Sequence, residues 1–87
     1  MPMNKDKNML IVEDDDALRA RMAVAMEKRG FDVRTASSVA GGLAAISQSV
    51  PGFAVIDLRL LDGSGLDVVK ALEGADPDAR AVILTGY

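Results

Sequence analysis

A short apolar run that leads directly into an aspartate is the feature that most restricts how this chain can fold. The residues from Phe53 to Ile56 are all apolar, and Asp57 follows them at once. An uninterrupted apolar run of this length predicts a strand that is buried on both faces of a parallel sheet. Asp57 then lies at the carboxyl end of a central strand, which is the edge of an open α/β sheet where ligands bind. We therefore expect Asp57 to be either a turn-forming residue or a reactive group.

The rest of the chain alternates between predicted strands and predicted helices. Strands are predicted over 8–12, 31–36, 53–57 and 81–85, and helices over 17–29, 39–48 and 66–72. This order implies an α/β fold whose parallel sheet is connected by right-handed crossovers. The half-polar alternation of the second strand predicts an edge position. We expect the flavodoxin-like strand order 2-1-3-4.

Each predicted helix carries apolar residues at helical spacing, which predicts the face that packs on the sheet. Asp15 or Asp16 is expected to cap the first helix, and Ser37 or Ser38 the second. Gly74, with the Asp-Pro pair after it, is expected to end the third helix. The predicted inward residues are Leu18, Met22, Ala25 and Met26, then Val39, Leu43 and Ile46, and finally Leu66, Val69 and Leu72.

Composition excludes several classes of function. With 87 residues the chain forms one domain at most, and its net charge of −3 argues against nucleic-acid binding through this chain. It contains neither cysteine nor histidine, which excludes disulfides, zinc-thiolate sites and a histidine general base. No stretch approaches the length of a membrane span, and the N-terminus lacks the apolar core of a signal peptide. A cytoplasmic protein without a membrane partner is therefore expected.

Polar side chains follow three of the predicted strands at the same edge of the sheet. Glu13 and Asp14 follow the first strand, Asp57 ends the third, and Thr85 ends the fourth. Three carboxylates brought together repel one another and raise their pKa values unless a cation lies between them. A site of hard oxygen ligands suits Mg²⁺. The Thr85 hydroxyl is placed to donate a hydrogen bond to a phosphoryl oxygen.

Several of these residues also have a less specific, structural explanation. Asp15 and Asp16 are better explained as helix-capping residues, whereas Asp14 and Asp57 are better explained as a site. The stretch 63–68 resembles the start of a dinucleotide-binding fingerprint but lacks its third glycine. A phosphatase of the haloacid-dehalogenase type also uses a strand-end aspartate, but it needs a second acid where Arg59 stands. The phosphatase interpretation is therefore disfavoured. We expect that the chain is not an enzyme.

Four motifs, taken together and in order, resemble the receiver domain of two-component response regulators. The resemblance covers nearly the whole chain. Its motifs are most similar to those of redox-responsive regulators that carry a Fis-type helix-turn-helix after the receiver. The motifs are Leu10-Ile11-Val12-Glu13-Asp14-Asp15, Val55-Ile56-Asp57-Leu58, Asp62-Gly63 with Gly65, and Leu84-Thr85-Gly86.

The resemblance implies a role for each matching residue. Asp57 is the implied phosphoacceptor, which attacks a phosphohistidine on a sensor histidine kinase. Asp14, Asp57 and the backbone carbonyl of Arg59 are the implied direct ligands of Mg²⁺, and Glu13 holds a metal-bound water. Thr85 is implied to contact the phosphoryl group and to couple it to a conformational change. The output implied is a DNA-binding domain that is not present in this chain.

The chain departs from the family pattern in two places. Leu61 stands where receivers usually have proline, so a looser loop is expected after the central strand. Residues 1–87 correspond to the N-terminal part of one receiver domain, because the last two helices and the fifth strand, with its lysine, have no counterpart here. The alternative function is therefore a receiver-like interaction module that is not phosphorylated in this form.

The fourth strand carries a further expectation about assembly. In the order 2-1-3-4 it lies at an edge, and its residues from Ala81 to Leu84 are continuously apolar. An unpaired apolar edge is a template for pairing with another chain. We therefore expect a homodimer formed through this strand or the sheet face beside it.

Overall fold

The computed structural model describes residues 7–84, which form a parallel sheet with helices on both faces. The strand order is β2-β1-β3-β6, which confirms the predicted α/β, flavodoxin-like order. Residues 1–6 and 85–87 lie outside the described part, and Thr85 is among them. The elements are β1 Asn8–Val12, α1 Asp16–Lys28, β2 Asp32–Ala36, α2 Val39–Gln48, β3 Phe53–Asp57, β4 Arg59–Leu60, β5 Gly63–Ser64, α3 Gly65–Ala75 and β6 Arg80–Leu84.

Parallel pairing aligns the carboxyl ends of the strands at one edge. Val12, the last residue of β1, lies opposite Ala36 on one side and Ile56 on the other. Asp57 at the end of β3 lies opposite Leu84 at the end of β6. Whatever follows Val12 and Ile56 is therefore held at the same height on neighbouring strands, and this places the site.

Two clusters of apolar side chains cover the two faces of the sheet. The larger one joins alternate residues of β1 and β3, including Leu10 and Ile56, to Val68 and Leu72 of α3 and to residues of α2. The smaller one joins Met9, Ile11 and Val55 to partly buried residues of α1. Because β1 and β3 are apolar on both faces, they sit at the centre of the sheet as predicted.

Three predicted inward residues are wrong. Ala25, Leu43 and Leu66 are exposed. The helix α2 packs against α3 through Gly42, where an added Cβ would meet Val68 Cγ2 at 3.2 Å. A helix that approaches its neighbours through a glycine turns the adjacent leucine outward, so apolar spacing alone selected the wrong residue. In α3 the buried residues are Gly65, Val68 and Leu72, so the face toward the core includes Val68 and leaves Leu66 exposed.

Several element boundaries also differ from those predicted. The helix α3 continues past Gly74 to Ala75, and the backbone N–H of Asp76 closes its last turn on the carbonyl of Leu72. A glycine in an exposed last turn costs about 1 kcal/mol, which is too little to stop a helix. The strands β2 and β6 begin at Asp32 and Arg80, one residue after and one residue before the predicted starts. Within residues 7–84, no helix has both the length and the apolar character needed to cross a bilayer.

Candidate functional site

Three carboxylates meet at the carboxyl edge of the sheet, beyond the ends of β1 and β3. Glu13, Asp14 and Asp57 each place one carboxylate oxygen so that all three oxygens lie within 4.8 Å of one another. Residues 13 and 57 are 44 positions apart in sequence, and the pairing of Val12 with Ile56 brings them together. The predicted clustering of these side chains is therefore what the structure shows, and oxygen donors at this spacing can hold a divalent cation.

Glu13 is the buried member of the cluster, with 4% of its surface exposed. Its backbone N–H donates to the carbonyl of Ala36 at 3.0 Å, which continues the pairing of β1 with β2. Its Oε2 accepts a hydrogen bond from the N–H of Asp15 at 3.0 Å. Burial raises the pKa of Glu13, and the neighbouring carboxyls of Asp14 and Asp57 raise it further, against the lowering effect of the Asp15 bond.

The two acids after Asp14 serve the helix, as the capping interpretation predicts. Asp15 is the N-cap of α1, and its Oδ1 accepts a hydrogen bond from the N–H of Leu18 at 2.9 Å. Asp16 pairs with the guanidinium of Arg19 at 2.7 Å. The same guanidinium donates to the carbonyl oxygen of Glu13 at 2.9 Å and so fixes the backbone beside the cluster. The sequence offered no signal for this contact of Arg19.

Asp57 is half-buried at the end of β3, and a backbone N–H two residues later orients its carboxylate. The N–H of Arg59 donates to Asp57 Oδ1 at 3.2 Å. Leu58 donates to the carbonyl of Leu84 at 3.0 Å and accepts at its own carbonyl from the N–H of Gly65 at 2.9 Å. The phosphoacceptor candidate is thus held between the edge strand β6 and the start of α3.

The segment after Asp57 forms a small antiparallel hairpin. Arg59 pairs with Ser64, and Leu60 pairs with Gly63. Gly63 has φ +152, a conformation that residues with a Cβ rarely adopt, which explains a glycine at this position. The side chain of Leu60 is buried, whereas Leu61 is 94% exposed. The looser loop predicted from Leu61 remains a prediction.

Asp62, at the tip of this hairpin, contacts the N-terminus of a different helix. Its Oδ1 accepts from the N–H of Val39 at 2.8 Å, and its Oδ2 accepts from the N–H of Ala40 at 3.1 Å. These two bonds hold the pKa of the Asp62 carboxyl below its usual range. No residue type in the sequence indicates this long-range contact, because the partners of Asp62 are backbone groups.

Similarity to known proteins decides the family. Residues 9–87 match the response regulator receiver domain. The chain belongs to this family. Acid tolerance regulatory protein ActR of Rhizobium meliloti (strain 1021) is 56% identical to this receiver domain over 82 residues, which is 94% of the chain and 42% of ActR. Photosynthetic apparatus regulatory protein RegA of Rhodobacter capsulatus is 51% identical over 85 residues, which is 98% of the chain and 46% of RegA.

Solved structures give the same result for the fold. A response regulator from Burkholderia pseudomallei, with a phosphorylated aspartic acid, calcium ion and citrate, matches 94% of this receiver domain and 48% of its own chain, with a TM-score of 0.87 and 35% identity. A CheY-like receiver domain protein from Methanospirillum hungatei JF-1 matches with a TM-score of 0.86 and 29% identity, over 92% of this chain and 64% of its own. The receiver domain spans about half the length of the curated relatives it matches.

Proposed function

We propose that this receiver domain is the phosphoacceptor of a two-component response regulator, and that a sensor histidine kinase transfers a phosphoryl group onto Asp57. The observation that carries the proposal is the position of Asp57 at the end of β3, with carboxylate oxygens of Glu13 and Asp14 within 4.8 Å. The phosphorylated aspartic acid and calcium ion of the Burkholderia pseudomallei relative support it, because that chain shares this fold at 35% identity.

The transfer requires one nucleophile and one leaving group. A carboxylate oxygen of Asp57 attacks the phosphorus of the phosphohistidine, the P–N bond breaks, and the imidazole leaves with the bonding electrons and takes up a proton. The hydrogen bond from the Arg59 N–H to Asp57 Oδ1 orients the attacking carboxylate before the phosphodonor arrives. Because the chain has no histidine, the phosphohistidine that supplies the phosphoryl group belongs to the kinase.

The donor set of the cluster fits Mg²⁺, since it consists of carboxylate oxygens at the end of two neighbouring strands. Asp14, Asp57 and the backbone carbonyl of Arg59 are the proposed direct ligands, and Glu13 is proposed to hold a metal-bound water. A bound Mg²⁺ supplies positive charge that offsets the charge of the carboxylates and the phosphoryl oxygens. Such a charge would counter the effect that burial and the neighbouring carboxyls have on Glu13, whose pKa they raise.

The proposed function also includes a signal that phosphorylation passes to an output domain. The Thr85 hydroxyl is proposed to contact the phosphoryl group and to pass its presence on to a DNA-binding output outside this chain. Residues 1–87 are proposed to be part of a single receiver domain. Curated relatives of about twice the length, RegA and ActR, are named as regulatory proteins, which supports an output beyond the receiver.

Self-association is proposed for the chain of 87 residues on its own. Within residues 7–84, β6 pairs with β3 and with no second strand. Val82 is 47% exposed and Ile83 is 37% exposed on this strand. An edge strand with exposed apolar residues is suited to pairing with a second copy.

The phosphoacceptor proposal is tested by intact mass measurement. The chain is incubated with acetyl phosphate and Mg²⁺, and we expect one added phosphoryl group on the wild type and none on Asp57→Asn. Asp32→Asn is the matched control, because Asp32 is an exposed aspartate at the opposite end of β2 and should leave the mass gain unchanged. No mass gain on the wild type, with either acetyl phosphate or a phosphorylated kinase, favours an interaction module instead.

A further inference from the structure

The N-terminus of α2 is capped by two side chains from different parts of the chain. Ser38, the local N-cap, accepts at its Oγ from the N–H of Gly41 at 2.9 Å. The N–H groups of Val39 and Ala40 instead donate to the two carboxylate oxygens of Asp62, which is more than 20 residues away in sequence. These backbone donors have no intrahelical acceptor, so Asp62 satisfies two groups that the helix itself cannot.

The hairpin that carries Asp62 also carries the site. It begins two residues after Asp57, and its first strand holds Arg59, whose N–H orients the Asp57 carboxylate. The base of the hairpin is fixed by the buried side chain of Leu60. At the tip, Leu61 is 94% exposed and Gly63 has no side chain, so the carboxylate of Asp62 is the group that fastens the tip to the rest of the fold.

The helix that receives Asp62 is a firm attachment point. At its far end, Arg34 of β2 donates to the carbonyl of Ala45 at 2.9 Å and to the carbonyl of Ser49 at 2.6 Å. Along its length Val39, Gly42 and Ile46 are buried against the core. A displacement of the hairpin tip therefore requires breaking charge-assisted hydrogen bonds to a helix that is itself held at both ends.

We propose that Asp62 is a positioning residue, which fixes the hairpin after Asp57 to α2 and thereby holds Asp57 and Arg59 in the arrangement that binds the cation and accepts the phosphoryl group. The proposal rests on the proposed function of this site. Asp62 itself contacts neither the cation nor the phosphoryl group. Its two hydrogen bonds lower the pKa of its carboxyl, and an ionised carboxylate accepts stronger hydrogen bonds than a neutral group does.

The test compares Asp62 with the other cap of the same helix. Asp62→Ala removes the link between hairpin and helix, whereas Ser38→Ala removes a cap of α2 without touching the hairpin. Asp62→Asn retains one acceptor oxygen and guards against a variant that fails to fold. Amide hydrogen exchange is measured at residues 39–41 and 58–60, together with Mg²⁺ affinity by NMR titration and the rate of phosphorylation by acetyl phosphate.

We expect Asp62→Ala to speed exchange at Val39, Ala40 and residues 58–60, and to weaken Mg²⁺ binding about tenfold, a typical effect of losing a residue that orients metal ligands. The phosphorylation rate should fall with it, and Asp62→Asn should lie between Asp62→Ala and the wild type. Ser38→Ala should speed exchange at Gly41 but leave the Mg²⁺ affinity within twofold.

Two outcomes overturn the proposal and differ from each other. If Asp62→Ala and Asp62→Asn alter exchange in α2 but leave Mg²⁺ affinity and phosphorylation at the wild-type level, Asp62 is a helix cap and nothing more, while the phosphoacceptor function stands. If the wild-type chain itself neither binds Mg²⁺ nor gains phosphate, the proposed function fails and the positioning role fails with it.

Discussion

Gly65 lies so close to the backbone of Asp57 that a Cβ added at Gly65 would overlap the Asp57 carbonyl oxygen. The same Cβ would meet Ile56 Cγ2, a fully buried side chain, at 2.9 Å. Neither neighbour can move freely, because one is backbone and the other is packed in the core. The first residue of α3 is thus glycine because the helix must begin directly against the end of β3. This contact places the start of the helix beside the phosphoacceptor candidate.

The first prediction compares two glycines of α3. Gly65→Ala should destabilise the domain by about 1–3 kcal/mol, because the methyl group forces the Asp57 backbone or the helix start to shift. Gly74→Ala is the matched control, since an added Cβ there has nothing within 4 Å. It should stabilise the domain by about 0.5–1 kcal/mol through helix propensity. Urea unfolding of both variants measures the two effects, and equal effects of the same sign would contradict the steric argument.

The fold was predictable where side chains alone decide it. The apolar runs of β1 and β3 gave the centre of the sheet, and the acids after them gave the cluster of Glu13, Asp14 and Asp57. What escaped prediction depends on backbone proximity. Leu43 was expected inside because spacing does not reveal that α2 approaches its neighbours through Gly42.

The link between Asp62 and α2 escaped prediction for a related reason. Its hydrogen-bond partners are main-chain N–H groups, which every residue other than proline possesses, so no residue type marks them in the sequence. The contact of Arg19 with the carbonyl of Glu13 is hidden in the same way. Roles that rest on side-chain chemistry could be assigned from the sequence, whereas positioning contacts to the backbone required the structure.

The second prediction concerns Mg²⁺ binding. Titration of the wild-type chain with Mg²⁺ should shift the amide signals of Glu13, Asp14 and Asp57, because their carboxylates form one oxygen site. Asp14→Ala and Asp57→Ala should each abolish the shifts at the remaining residues. Asp32→Ala, at the other end of the sheet, should bind as the wild type does. Unmoved signals in the wild type would remove the metal site.

The third prediction follows from the raised pKa of Glu13. An acid whose folded-state pKa exceeds its unfolded value of 4.5 destabilises the fold once it ionises, and that penalty is absent below pH 4.5. Glu13→Gln should therefore raise Tm at pH 7 without Mg²⁺, and the gain should vanish at pH 4. Thermal unfolding measures the rise sensitively, because about 1 kcal/mol shifts Tm by about 4–8 °C in a domain of this size.

Glutamine at position 13 keeps an acceptor for the N–H of Asp15, so the variant changes charge with little change in hydrogen bonding. Glu73→Gln provides the control, because Glu73 is exposed on α3 and should leave Tm nearly unchanged. Saturating Mg²⁺ should stabilise the wild type more than Glu13→Gln. A lower Tm for Glu13→Gln at pH 7 would show that the ionised carboxylate stabilises the metal-free fold, which is the opposite of what burial among like charges implies.

The fourth prediction is that the 87-residue chain self-associates through β6. Val82 and Ile83 are 47% and 37% exposed on a strand that, within residues 7–84, has a partner on one side. A second copy can add to this edge by strand pairing about a two-fold axis, which places its residues beside Val82 on one face of the sheet and beside Ile83 on the other. The weight-average mass in sedimentation should therefore rise from monomer toward dimer with concentration.

The variant Val82→Lys should shift this mass back toward monomer, because a charged side chain at the edge disfavours strand pairing. Val24→Lys is the control, since Val24 is 50% exposed on α1, away from β6, and should leave the association unchanged. A monomer mass at every concentration, together with free amide exchange at residues 82 and 83, would rule the dimer out.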